Sequence, residues 1–155
     1  VACHEAHTRG LAIHAWVNMM PAWAGDKPPG DRKHLYHTHP EWFLYDQKGR
    51  RQPLNGWYVS LNPCLPEVRS YLVSICRELV TRYPVDGLHL DYIRYPTENS
   101  LNYDENNREQ IRQRFGFDIR EGGDLWKDPD KWVRIRQYRT EKVAEAASKA
   151  AAAKP

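Results

Sequence analysis

The chain has 155 residues, a formal net charge of +3, and 41% hydrophobic and 12% aromatic content. That is enough apolar material for one globular core and too little for two, so residues 1–155 read as a single domain or as a segment of a larger one. The small basic excess is spread over both halves, which argues against a nucleic-acid interface, and no stretch has the apolar length of a membrane span.

The opening run Val1-Ala-Cys-His-Glu-Ala-His7 contains neither an initiator methionine nor a signal peptide, and a processed or excised piece is expected. It reads as the end of a helix, closed by Gly10, a residue that tolerates a left-handed backbone. A strand is predicted over residues 11–18. Alternation puts Leu11, Ile13, Ala15 and Val17 on one of its faces and His14, Trp16 and Asn18 on the other. From residue 19 to 56 the periodicity disappears, and Pro21, Pro28, Pro29, Pro40 and Pro53 make a continuous helix implausible, so a long decorated loop is expected. It carries Trp23, Tyr36, Trp42, Phe43 and Tyr45. Two roles are open to these rings: a small satellite core beneath the loop, or a carbohydrate platform on which sugar rings stack.

Residues 57–63 form another short extended run, broken by Asn62-Pro63. Pro66-Glu67 then opens a helix in which Val68, Leu72, Ile75, Cys76 and Leu79 recur at three- and four-residue steps, and Tyr83-Pro84 ends it. The next apolar run, Gly87 to Ile93, is a strand closed by Tyr95-Pro96, with Gly87, His89 and Asp91 on one face and Leu88, Leu90 and Tyr92 on the other. A short helix is predicted over residues 105–115, closed by Gly116, and a long alanine-rich one from Lys131 to about Ala153. Strand, loop, helix, strand is a parallel β/α unit. The predicted fold is part of a (β/α)8 TIM barrel with a long aromatic-rich loop after the first visible strand, and a doubly wound open sheet is the alternative. No Gly-rich phosphate fingerprint follows either strand, and no cofactor is implied. Cys3, Cys64 and Cys76 lie far apart without a CxxC pair, which argues against a zinc knuckle and against a disulfide framework.

Barrel geometry gives the second strand its direction. Catalytic groups in this fold sit at the carboxyl ends of strands, and residues at the amino ends serve stability. Asp91 is therefore the candidate catalytic residue, while Asp86 is read as structural. His14, Trp16 and Asn18 approach Asp91 from the neighbouring strand, His89 shares its face, and Asn62 is a further rim candidate. Trp42 in the loop, with Arg94 and Glu98 just past the strand, completes the set of expected substrate contacts.

Four separated motifs carry a resemblance: Gly10-Leu-Ala-Ile-His-Ala-Trp-Val-Asn18, His39-Pro-Glu-Trp42, Leu61-Asn-Pro-Cys-Leu-Pro-Glu-Val-Arg69 and Asp86-Gly-Leu-His-Leu-Asp-Tyr-Ile-Arg-Tyr-Pro96. In this order they resemble the bacterial glycosyl-hydrolase-like family ten barrels, of which these residues match the middle. The resemblance implies that the first and last strands lie outside this sequence. It also implies hydrolysis of a bacterial cell-wall or related polysaccharide glycan in an extracytoplasmic setting. A looser similarity is to the alpha-amylase type barrels, whose fourth-strand motif Asp-Gly-Phe-Arg-x-Asp supplies a nucleophile; Asp91 takes that place, and His89 stands where those enzymes carry arginine.

Glycoside hydrolysis needs one carboxyl to protonate the leaving oxygen and a second as nucleophile or as base for water. Asp91 fits the second role, whereas Glu98 and Glu41 are weaker candidates for the first, which a strand beyond this sequence could supply. Two other classes stay open. His37-Thr-His39 with His14, His34 and His89 would suit a metal-dependent hydrolase. A non-catalytic glycan-binding barrel would keep the aromatic loop without a working acid.

Overall fold

A computed structural model describes residues 1–96, 103–121 and 125–152. In chain order the elements are α1 (Ala2–His7), β1 (His14–Asn18), β2 (Pro21–Ala24), α2 (Leu35–Thr38), β3 (Tyr58–Ser60), α3 (Pro66–Arg82), β4 (Gly87–Asp91), α4 (Glu105–Phe115) and α5 (Pro129–Ala151). The fold is mixed α/β. Among the described residues no barrel closes: β1 and β4 form one two-stranded sheet, β2 and β3 another.

Local chemistry sets the helix ends. In α3, Pro66 occupies the first turn, where a missing N–H costs nothing, and Tyr83 is extended (φ −123°, ψ 138°) as the residue before a proline should be. The Asp104 carboxylate caps α4 by accepting from the Asn107 amide, and Gly116 closes it in the left-handed conformation (φ 78°). Asp128 caps α5 in the same way through the Lys131 amide.

β1 and β4 run parallel, in the register His14 to Gly87, Trp16 to His89 and Asn18 to Asp91. Both strands are shorter than predicted, and within them the predicted division of faces holds. Val17, Leu88 and Leu90 pack against the core that contains Val68, Leu72 and Cys76 of α3. The other face, with Trp16 and His89, stays exposed. Asp86 sits at the amino end as expected, accepting from the Ile13 amide and pairing with His7 Nε2 at 2.9 Å.

The segment from residue 19 to 56 differs from the expected loop. β2 forms within it and pairs antiparallel with β3, with a register irregularity between Pro21 and Trp23. Pro21 is tolerated because it is the first residue of the strand, where no ladder N–H is needed. The strand owes its existence to its partner rather than to any periodicity of its own. The rings of this segment turn inward: Phe43 is fully buried, Tyr36 nearly so, and Trp23 and Trp42 pack against the same cluster. Of the two roles open to these rings, burial in a core describes Phe43 and Tyr36, in the main cluster and not in a satellite one, while Trp23 and Trp42 stay half-buried at its edge.

The buried residues fall into two clusters where the composition suggested one core: the second gathers Tyr103, Ile111, Leu125, Ile135 and Tyr138 under α4 and α5. Beside it, Asp118 is 3% exposed at its side chain and bridges Arg108 and Arg112. The hydrogen bond from Arg108 holds its carboxyl well below the ordinary 3.8, with further support from the Arg120 amide. A carboxyl whose folded pKa is depressed adds stability that is complete above its ordinary pKa and lost as the pH falls through the folded value. In urea titrations at decreasing pH, Asp118→Asn is therefore expected to lower the midpoint near neutrality and to converge with the wild type in strong acid. A constant gap across the acid range would show that the bridge contributes nothing through ionisation.

Cys3, Cys64 and Cys76 form no disulfide with one another; Cys64 and Cys76 lie in the interior, and the Cys64 thiol shares a hydrogen bond with the Tyr95 hydroxyl at 3.0 Å. Among the described residues no helix is long and apolar enough to cross a membrane.

Candidate active site

The carboxyl end of β4 brings together the groups with the most specific chemistry. The indole N–H of Trp16 donates to Asp91 Oδ2 at 3.1 Å, and the backbone N–H of Tyr92 donates to Oδ1 at 2.7 Å. Both oxygens are thus held, one from the neighbouring strand and one from the residue that follows, and each keeps a further lone pair for a ligand. The Asp91 carbonyl accepts from the Met19 amide at 2.9 Å, which pins the two strand ends to each other. Against this frame the Trp16 and His89 rings lie 4.5 Å apart, tilted by 41°.

Tyr92 is the only described non-glycine residue with a positive φ, 48°. A bulky side chain in the left-handed region carries backbone strain of about 1 kcal/mol or more, and such residues cluster at functional sites. The turn it makes aims its amide at the Asp91 carboxylate. It also takes Tyr92 out of the strand alternation, so its ring does not join Leu88 and Leu90 as predicted but meets Tyr58 edge-on at 5.1 Å. Arg94 is exposed and lays its guanidinium over the Tyr92 ring, 5.3 Å from its centre.

Gly87 shows why the face is open at its base. A Cβ there would approach His14 Nδ1 to 2.6 Å, so the absence of a side chain lets the imidazole lie across β4.

The sequence matches the family described as Glycosyl hydrolase-like 10 over residues 2–155. The chain belongs to the glycosyl hydrolase-like 10 family. It is 33% identical over 97 residues to Glycosyl hydrolase DigH of Escherichia coli strain K12, a match covering 56% of this chain and 20% of that protein. It is 29% identical over 94 residues to Glycosyl hydrolase YngK of Bacillus subtilis strain 168, covering 59% of this chain and 17% of that protein. The match thus spans about a fifth of the length of these curated relatives. A loose likeness also exists to the crystal structure of a hypothetical protein from Ruminiclostridium thermocellum, with TM-score 0.46, 19% identity, and coverage of 73% of this chain and 57% of that one.

Of the residues singled out from the family motifs, Trp16, Asn18, His89 and Asp91 meet on one face, with His14 below them across from Gly87. Others lie elsewhere. Asn62 is fully buried; its amide nitrogen donates to Asp104 and its oxygen accepts from the Cys64 amide, which makes it a bracket between β3 and α4 and takes it off the rim. Trp42 stacks on His39 at 4.1 Å and packs against the core instead of standing free in a loop. Glu41 is engaged by the same His39 at 3.2 Å. Glu98 falls outside the described residues. The histidines of the metal alternative do not converge: His37 Nε2 is bonded to the Pro29 carbonyl, and among the described residues no group of three His, Cys, Asp or Glu side chains could hold a metal ion.

The contact between Tyr58 and the turned Tyr92 beside Asp91 has no signal in the local sequence. Tyr58 reaches the site through the β2–β3 ribbon, a long-range pairing that local patterns do not encode. Alternation places Tyr92 on the leucine face only in a strand that continues to Ile93, and β4 ends at Asp91.

Proposed function

We propose that this chain supplies part of the active site of a glycoside hydrolase acting on a bacterial cell-wall or related polysaccharide glycan, with Asp91 as the nucleophile or as the base that activates water. The observation that carries this reading is the two-donor clamp on Asp91 at the strand end, beside a strained Tyr92 and on the open face of the sheet. Catalytic carboxylates in β/α barrels occupy this position, and family membership supplies the chemistry. The two-stranded parallel sheet supports the same architecture, because parallel strands are ordinarily found in larger sheets covered on both faces. A (β/α)8 barrel completed by further strands gives β1 and β4 neighbours on their outer edges and encloses the face that bears Asp91. The proton donor to the leaving group then comes from Glu98 or from another part of the protein. A cell-wall substrate places the enzyme outside the cytoplasm.

The chemistry follows from the geometry. As positive charge develops at the anomeric carbon, the fixed carboxylate either forms the glycosyl–enzyme bond or takes a proton from the attacking water. Trp16 acts through Asp91 by aiming Oδ2, and is a positioning residue. In Trp16→Phe the ring over His89 is kept and the donor removed, so kcat is expected to fall about tenfold, the loss of one hydrogen bond to a charged acceptor, with KM little changed. A rise in KM at constant kcat would instead make Trp16 a substrate contact.

The reading is tested by incubating the intact protein with purified cell-wall glycan and following the release of new reducing ends. Turnover supports it. Glycan affinity without turnover would assign the non-catalytic binding barrel, and neither affinity nor turnover would remove glycans from consideration.

A further inference from the structure

Two tryptophans stand exposed among the described residues, Trp16 at 68% and Trp57 at 65%. Trp16 is tied to Asp91 by its indole N–H. Trp57 is connected by a run of rings to Tyr92, the residue whose backbone N–H donates to the same carboxylate: its indole lies 5.8 Å from the Tyr58 ring at a 34° tilt, and Tyr58 meets Tyr92 at 5.1 Å.

We propose that Trp57 is the stacking face of a sugar subsite removed from the cleavage point, so that the site takes an oligosaccharide chain and not a single sugar. This rests on the glycosidase reading of Asp91. Three features support it. The Trp57 backbone is tied on both sides, its amide donating to Asn55 Oδ1 at 3.2 Å and its carbonyl accepting from the Gly25 amide at 3.4 Å, so the exposed ring is presented by a fixed backbone and little ordering is lost on binding. Its indole N–H makes no hydrogen bond among the described residues and is free to meet a sugar hydroxyl, while the ring face meets the sugar's C–H groups. The half-buried Tyr58 and Tyr92 intervene between Trp57 and Asp91, so a sugar on Trp57 is a different unit from the one whose bond Asp91 meets.

The experiment measures affinity by calorimetry for defined cell-wall oligosaccharides of increasing length, from the disaccharide upward. The intact protein carries Asp91→Asn to block turnover, with and without Trp57→Ala or Trp57→Phe. Affinity is expected to rise with chain length in the parent. Trp57→Ala should lose roughly tenfold on the long chains and nothing on the disaccharide, with an unchanged melting temperature, and Trp57→Phe should recover most of the loss. Equal affinity of Trp57→Ala and parent for the long chains overturns the subsite while leaving the Asp91 reading intact. A parent that binds no oligosaccharide of any length overturns both.

Discussion

Asp91→Asn is expected to lower kcat by about a thousandfold or more on cell-wall glycan while leaving KM and the melting temperature close to wild type. The amide is nearly the same shape as the carboxylate and retains one oxygen to accept from Trp16 or from the Tyr92 amide, so the strand end should keep its form. What disappears is the negative charge that meets the anomeric carbon or takes a proton from water. The amide also brings N–H groups toward donors that already point inward, so one of the two clamping hydrogen bonds must be given up. Full activity in the variant would sink the assignment of Asp91. A melting temperature lowered as much as activity would make Asp91 a structural carboxylate. The spared KM separates a residue used in the transition state from one that merely holds substrate.

The second large effect is on stability. Phe43→Ala should cost about 3 to 4 kcal/mol, seen as a drop in the urea midpoint, because Phe43 is fully buried and the cavity left by an aromatic ring in a core is not refilled. Its ring meets Tyr36 edge-on at 5.6 Å, and Phe43 bridges Leu61 at the end of β3, so the loss spreads to the ribbon that presents Trp57. The contrast with Trp57 is the informative part. Both are aromatic residues near the same ribbon, yet one substitution should act on stability and the other on glycan affinity. A Phe43→Ala protein with wild-type stability and weakened glycan binding would favour the carbohydrate-platform role over the core role for the rings of this loop.

Much of the fold is legible in the sequence, and the reasons are local. Pro66, Tyr83-Pro84 and Gly116 place both ends of α3 and the close of α4 because capping and proline geometry act within a few residues, while α5 begins at Pro129, two residues before the predicted Lys131. Alternation in β1 and β4 assigns Trp16, Asn18, His89 and Asp91 to one face because the pleat has a fixed period of two. Chain direction separates Asp86 from Asp91, and the observed partners agree, with Asp86 held by His7 and the Ile13 amide at one end of the pair and Asp91 by Trp16 and Tyr92 at the other.

What the sequence by itself determined, then, is the family, the helix ends, and the shared face that bears Asp91. Each is written in residue spacing or in motifs contiguous along the chain. Only the tertiary structure decided that β2 exists, that Phe43 and Tyr36 are core, that Asn62 is a buried bracket, and that Trp57 and Tyr58 lead to Asp91 through a Tyr92 turned out of its strand. These depend on which distant segments pack together, and an exposed ring and a buried one are the same letter until a partner covers one of them.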